Sequence, residues 1–565
     1  MPISSTPLPM IEILESRIAP AGVFYYTDGD GNKVKVTSSV GTSAELASAV
    51  EAGLSNYGSG QSLLTQPHTL QVLNLATVAL GHDFANAAIT ITGTPSTGLG
   101  TLSGNGLVNV GEINANGINL KSVTIHGDLG QIVVGGGSAT GLGLGALNVQ
   151  SMGEYGLITG ANSTVSRFIN GVTSITVAHD VDGLLLRADA SGTAPLAKIG
   201  AITIGGNLVG GTASDTGEIA AADGIGSVKI LGSVIGGTAT DDGRIATSVS
   251  GRLPAGAGGN IGSIYIGGDL EGGSAQATGA IFCAGTLGSV TIAGSLIGGS
   301  AITSGGIDGN SIGTVSIGRD LIGASFSSSS SVDHTAFIRS QGNIRSVTVG
   351  GSLIPGAESG GGTLTFSAAI QAGLTLGPVD VHGSIQGTAA TPVVISGSGL
   401  ANPTKHTQDP AVESVTVTGS STYAVIEAGY GVGGATTSGD AQIGTVKVGG
   451  DLIATDIIAG VKVQTAGSDF GMASDSLIDV PSATVTKDGI LSSIASIVVG
   501  GQIEGATGGA TFGIEAQSIG SISTGGIKIP LKSAASGGND FVITPTISAT
   551  TEHDVRVRDN FPLDT

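Results

Sequence analysis

The sequence predicts an all-β chain wound as a parallel β-helix, and three observations predict it. The first is a recurring phrase of the form Gly-Ser-Val-Thr-Ile-Gly-Gly-Asp-Leu-Ile-Gly-Gly. It stands as Ser263-Ile264-Tyr265-Ile266-Gly267-Gly268-Asp269-Leu270 and again as Ser289-Val290-Thr291-Ile292-Ala293-Gly294-Ser295-Leu296. Its first β-branched residue marks Val123, Ile175, Ile202, Val228, Ile264, Val290, Val315, Val347, Val379, Val415, Val446, Ile497 and Ile522. Most spacings fall between 25 and 36 residues, and two, of 52 and 51, are close to twice 26, so each is expected to hide one degenerate unit. Self-similarity at such a period is the signature of a solenoid. The second observation is alternation: Val290 and Ile292 flank Thr291, and Val347 and Val349 flank Thr348, the pattern of short half-buried strands. The third is glycine, 99 of 565 residues, a density that makes helical repeats expensive and suits tight corners.

Each coil of about 25 residues holds three strands. After the marker strand comes a second apolar position, Leu208, Leu270, Leu296, Leu321, Leu353 or Leu452. A Gly-Gly turn then leads to a third apolar pair, as in Gly217-Glu218-Ile219-Ala220 and Gly279-Ala280-Ile281-Phe282. Between the first two strands lies a polar column: Asp128, Asp180, Asn207, Ser233, Asp269, Ser295, Asp320, Ser352, Ser384, Ser420, Asp451 and Gln502. These are turn-binding side chains. Stacked about 4.8 Å apart, like charges there would repel by roughly 1–3 kcal/mol, and from Asn207 to Gln502 no two successive copies both carry Asp.

A cap is expected before the coils, because an open ladder end invites aggregation. Residues 23–95 supply it, with a hairpin around Asp28-Gly29-Asp30-Gly31-Asn32 and a helix from Ser43 to Leu54 opened by a Thr42/Glu45 capping box. The repeat domain runs over 96–530. Insertions lengthen its coils at Ser248 to Gly259, Phe326 to Thr335 and Ser398 to Asp409, and a face they share is the first place to look for binding. The tail, 531–565, ends in Glu552-His553-Asp554-Val555-Arg556-Val557-Arg558-Asp559, which could protect or extend the far end.

Composition narrows the function classes. With 21 basic against 42 acidic residues, the net charge of −21 repels phosphate backbones, so nucleic acid is excluded as a partner. No apolar run is long enough for a spanning helix, and 11 Phe, 7 Tyr and no Trp do not supply the aromatic girdles of an outer-membrane barrel. The one thiol, Cys283 in Ala280-Ile281-Phe282-Cys283, rules out an intrachain disulfide framework and reads as buried and inert. Residues 1–22 lack the basic and apolar regions of a secretory signal. Within them, Leu14-Glu15-Ser16-Arg17-Ile18-Ala19-Pro20-Ala21 resembles the LEPR-type sorting sequence of planctomycete and verrucomicrobial surface proteins, with Ser16 where Pro is usual. The segments Tyr26 to Val34 and Gly106 to Gly130 are similar to uncharacterised large repeat proteins of the same bacteria. The resemblance implies a cell-envelope or extracellular location, and β-helices as a class imply a right-handed sense of winding.

No residue pattern assigns a catalytic, cofactor-binding or metal-ligating residue. Asp28, Asp30 and Asn32 open like a calcium loop, but Lys33 and Ser39 stand where Gly and Glu are needed, so a hairpin turn is the better reading. The histidines His68, His82, His126, His179, His334, His382, His406 and His553 form no ligand pair and read as surface or corner residues. The column outward from the markers, Thr124, Thr176, Thr203, Lys229, Tyr265, Thr291, Ser316, Thr348, Asp380, Thr416, Lys447 and Val498, holds one carboxylate where a polysaccharide lyase or hydrolase needs a pair. The sequence therefore reads as a right-handed parallel β-helix of about 15 coils with a small N-terminal cap, a non-enzymatic structural or adhesive protein. Its expected partners are surface glycans or further copies joined end to end. A carbohydrate-active β-helix is the alternative.

Overall fold

The computed structural model describes residues 22–55, 62–76, 84–96, 104–137, 141–190, 197–247, 258–400, 409–463, 469–478, 490–506, 510–532, 538–543, 555–559 and 561. The sorting-like segment, most of the 248–259 and 398–409 insertions, His82, His406 and His553 lie outside them. The chain forms a parallel β-helix whose three sheets run along the molecule. In the first sheet, Ile89, Val123, Leu147, Ile175, Ile202, Val228, Ile264, Val290, Val315, Val347, Val379, Val415, Val446, Ile497 and Ile522 pair in turn, each directly over the last. All are at most 2% exposed. The predicted markers thus form one vertical stack in a dry aliphatic spine.

One long interval hides a coil and the other does not. Between Val123 and Ile175 lies Leu147, whose phrase Ala146-Leu147-Asn148-Val149 keeps the alternation but has lost the Thr and the Gly-Gly corner. Between Val446 and Ile497 there is no coil: Val446 pairs with Ile497 itself, Lys447 with Val498 and Leu452 with Ile503. The surplus length leaves the wall after Asp456–Ala459, and its described part contains an antiparallel pair, Val461–Lys462 with Ser476–Leu477. Length alone could not distinguish a coil from an excursion. Fifteen rungs still result among the described residues, because Ile89, inside the cap region, provides the first.

The second sheet is narrow, with two-residue strands from Ser151–Met152 onward. Leu208, Val234, Leu270, Leu296, Leu321, Leu353 and Ile385 stack there. The third sheet stacks Leu186, Ile219, Ile245, Ile281, Ile307, Ile338, Ile370, Ile395, Ile426, Ile457, Ile514 and Val557. It is buried on both faces along much of its length, with Glu218–Ala221, Arg244–Ala246, Ile370–Ala372 and Asp456–Ala459 buried at every residue, whereas Arg167 and Arg187 reach solvent. The loops entering this sheet share a backbone device. Asp215, Asp241, Ala277, Thr303, His334 and Phe366, one coil apart, all have φ between 49° and 67°.

The polar column between the first and second sheets forms a hydrogen-bonded ladder. The N–H of Asn207 donates to Asp180 Oδ1 at 2.6 Å, that of Ser233 to Asn207 Oδ1 at 2.8 Å, and that of Asp269 to Ser233 Oγ at 3.0 Å. The series continues through Ser295, Asp320, Ser352, Ser384, Ser420 and Asp451 to Gln502. Each side chain accepts from the same position one coil on. The glycine before each rung follows from this. A Cβ at Gly206, Gly351 or Gly501 would lie 1.9, 2.1 or 2.0 Å from the carboxylate oxygen of the coil below. At Arg319-Asp320, where that glycine is absent, the bond is the ladder's longest, 3.4 Å.

Both ends close with antiparallel pairs. Gly22–Thr27 pairs with Asn32–Ser38, which in turn pairs antiparallel with Ala88–Pro95. The helix spans Ser43–Glu51, three residues shorter than expected, with both bonds of the capping box made. At the far end Ile522–Thr524 pairs antiparallel with Ile527–Ile529. The charged tail extends the third sheet, Val555–Arg558 pairing parallel with Phe512–Glu515 and antiparallel with Asp540–Ile543.

Truncation should report this inside–outside division. Ile292→Ala, at a fully buried position, is expected to cost about 2–5 kcal/mol, whereas Thr291→Ala beside it stays within about 0.5 kcal/mol. Chemical denaturation of the two variants measures both.

Candidate functional site

Two groupings of ionisable side chains bear on function, one bordering an exposed trough on the first sheet and one buried on the third. The trough arises from two interruptions of a glycine column. Two residues before each inward marker stand Gly262, Gly288, Gly313, Arg345, Gly377, Glu413 and Gly444. The glycines fit because the carbonyl of the coil below crowds them: a Cβ on Gly313 would lie 1.9 Å from Gly288 O, and one on Gly377 2.0 Å from Arg345 O. Arg345 and Glu413 break the column on either side of Gly377, two strand spacings or about 10 Å apart. Their exposed side chains border a surface trough of about 690 Å³ that also meets Asn343, Thr375, Pro378 and Leu400. Asn343 Oδ1 accepts the N–H of Thr375 at 3.0 Å. Leu400, at the base of the 398–409 insertion, donates its N–H to the buried Asp409 at 2.6 Å. The trough thus offers opposite charges and amide and hydroxyl groups around Gly377, a surface suited to hydrogen-bonding a polar chain, with one carboxylate rather than two.

The outward column of the first sheet is in register as expected, Thr176 over Asn148 and Thr203 over Thr176, on through Thr291, Ser316 and Thr348. A second rank, half-buried except at the exposed Thr314, runs beside it: Ser174, Ala201, Ser227, Ser263, Ser289, Thr314 and Ser346. The face carries two ranks rich in small hydroxyls, interrupted by Lys229, Tyr265, Asp380, Lys447 and Val498 in the first and Ala201 in the second.

The third sheet carries carboxyl groups that a reading of the first strand alone does not reveal. Glu218 and Arg244, stacked in adjacent coils, are both at most 2% exposed. Arg244 reaches Glu218 at 2.8 Å and Asp241 at 2.5 Å, lies 3.9 Å from Asp215, and covers the ring of Phe282. Burial, more than Arg244 offsets, pushes the Glu218 carboxyl up to about 7. Toward the C-terminal end Glu427, Asp456 and Glu515 share the outer side of this sheet with Asp475 above them. Burial first, and neighbouring carboxylates second, push Glu427 and Glu515 up to about 8, and burial does the same for Asp456. The sequence signal was an acid directly after an inward isoleucine, as in Ile426-Glu427 and Ile514-Glu515. The roof that buries them was not legible.

The remaining expectations find their places. Asp28 Oδ1 accepts the N–H groups of Asp30 and Asn32, and Asn32 Nδ2 donates to Oδ2, so this segment is a hairpin turn. His126, His179 and His382 are exposed, whereas His68 and His334 are buried. His334 is a strut: it stacks on Phe366 at 5.0 Å, meets the edge of Phe337 at 5.3 Å, and its Nε2 lies 3.0 Å from Gln371 Oε1. Among the described residues no three His, Cys, Asp or Glu side chains are grouped to hold a metal ion. Cys283 is buried, and burial pushes its thiol up. No helix of the described residues is long and apolar enough to cross a membrane. Comparison with known proteins found no matching family model, curated protein or solved structure.

The Arg244 cluster permits a quantitative test. Arg244→Ala leaves Glu218 buried without its cation and should lower stability by about 3–5 kcal/mol. Pairing Arg244→Met with Glu218→Leu should recover most of that loss in the same denaturation experiment.

Proposed function

We propose that this chain is a non-enzymatic structural or adhesive β-solenoid of a bacterial cell envelope or exterior. The ladder from Asp180 to Gln502 carries the reading, since it ties successive coils together through both backbone and side chains. Fifteen rungs at strand spacing make a rod on the order of 70 Å long, with one continuous core. Such a body holds whatever it displays at a fixed distance. The hydroxyl ranks of the first sheet and the Arg345/Glu413 trough are the surfaces it displays, and both suit the hydroxyl-rich face of a polysaccharide. Antiparallel closure at both ends of the first sheet favours discrete rods over end-to-end filaments. A lyase or hydrolase reading has one observation in its favour, the facing carboxyls of Asp475 and Glu515. Both are buried, Glu515 beneath the segment that carries Asp475, and this favours the structural reading.

Immunogold labelling of intact cells is expected to place the protein at the envelope, and sedimentation to show an elongated particle; a wholly cytosolic label would contradict the proposal. On a glycan array the protein should retain polysaccharide without releasing reducing ends. Arg345→Ala and Glu413→Ala should each weaken retention about tenfold, the loss of one charged hydrogen bond of about 1.5 kcal/mol. Release of reducing sugar would favour the carbohydrate-active alternative.

A further inference from the structure

The excursion after Asp456–Ala459 returns across the outer side of the third sheet and sets one carboxyl against another. Its described part is held by the antiparallel pair Val461–Lys462 with Ser476–Leu477. Phe470 and Leu477 pack against Ile458, Val461 and Phe561. Arg558 Nη1 donates to the carbonyls of Met472 and Asp475 at 3.3 and 2.9 Å, and Thr511 Oγ1 to that of Phe470 at 2.8 Å. Beside these contacts the carboxyl of Asp475 lies within hydrogen-bonding reach of that of Glu515. Glu515 is fully buried, and neither of its carboxylate oxygens has a hydrogen-bond donor. Asp475 accepts the N–H of Met472 through Oδ2 at 2.8 Å, but its Oδ1 has no donor either. Two ionised carboxylates offer only acceptors, so a proton held between them is what makes this contact favourable.

We propose that residues 469–478 form a proton-dependent clasp, seated on the third sheet while Asp475 and Glu515 share a proton and released when both ionise. Every group facing the pair bears on the balance. Asp456, which accepts the N–H of Gly513 at 2.7 Å, and Glu427 are themselves held protonated by burial up to about 8 and add negative charge only beyond it; Asp469 is a further acid, and Tyr430 lies beside them. Arg558 opposes the repulsion, but its Nη1 is 4.0 Å from Glu515 Oε1, beyond hydrogen-bond reach, and Arg556 is paired with Asp540 at 2.6 Å. The acids outnumber the guanidinium groups near them.

The sign follows from linkage. Carboxyls of a released, hydrated clasp titrate near 4, whereas in the seated state Glu515 is pushed up to about 8 and Asp475 upward, in each case by burial first. The seated state therefore binds more protons between those values. Its advantage is complete below about pH 4, shrinks as pH rises, and is lost once pH passes about 8. Release would uncover the Glu427–Asp456–Glu515 row, making the outer side of the third sheet accessible only at the alkaline end.

Amide hydrogen exchange on the full-length chain at pH 6 and 9, corrected for intrinsic exchange, tests this. Peptides covering 469–478 are expected to lose at least about tenfold in protection, the change one coupled proton gives per pH unit, while peptides around Leu287–Ile292 stay unchanged. Glu515→Gln supplies an amide donor to Asp475 and should keep the clasp protected at pH 9; Asp475→Asn does the same from the other side should the first variant fold poorly. Protection of 469–478 that does not fall with pH, or that falls equally in a folded variant, would overturn the proposal.

Discussion

The structure depends on vertical register, and register is written into the corner between the first and second sheets. There a short polar side chain accepts the N–H of its counterpart one coil on, and the close approach favours a residue without a Cβ before the counterpart, Arg319 before Asp320 being the exception with the longest bond. The Gly-Asp, Gly-Ser and Gly-Asn pairs of the repeat are this preference expressed as sequence: Gly206 makes room for Asp180, Gly351 for Asp320, Gly501 for Asp451. The column also avoids stacked charge. Asp128 and Asp180, neighbours in the bare phrase list, are separated by Ser151, which donates to Asp128 at 2.8 Å. A side chain that bonds upward is thus followed by one that adds no like charge about 4.8 Å away.

Given that register, the three sheets acquire different chemistry from the same period. The first faces water with small hydroxyls and supports the trough at Gly377. The third is enclosed on both sides at Glu218–Ala221 and Asp456–Ala459, so an acid pointing outward there still meets a dry environment. Glu218 is reconciled to burial by a cation, while Asp475 and Glu515 are reconciled by a shared proton. A rod built this way separates an exposed hydroxyl-rich face from a buried acidic one without a second domain.

Much of this was legible in the sequence because stacking turns repetition into geometry. The markers from Val123 to Ile522, the polar column, the Thr rank, the Asp28 hairpin and the Thr42/Glu45 capping box occupy the places their spacing predicts. Leu147 was recoverable from length because its coil has the standard size. The Val446 to Ile497 interval was not, because an excursion and a coil consume the same number of residues and only pairing distinguishes them. The buried carboxyls were missed for a related reason. Alternation shows that Glu427 and Glu515 point out of the core, but the chain that covers them belongs to the excursion, which carries no period.

The most direct test of vertical register is a double-mutant cycle between Asp451 and Gly501. A Cβ at residue 501 would stand 2.0 Å from Asp451 Oδ1, and the Gln502 N–H donates to that same oxygen at 2.8 Å. Direct stacking predicts that Asp451→Ala and Gly501→Ala each destabilise the protein in denaturant unfolding, and that the double variant loses less than the sum by about 0.5–3 kcal/mol. Additive losses would mean that the two residues do not touch, placing a further coil between them and contradicting the register on which the architecture rests.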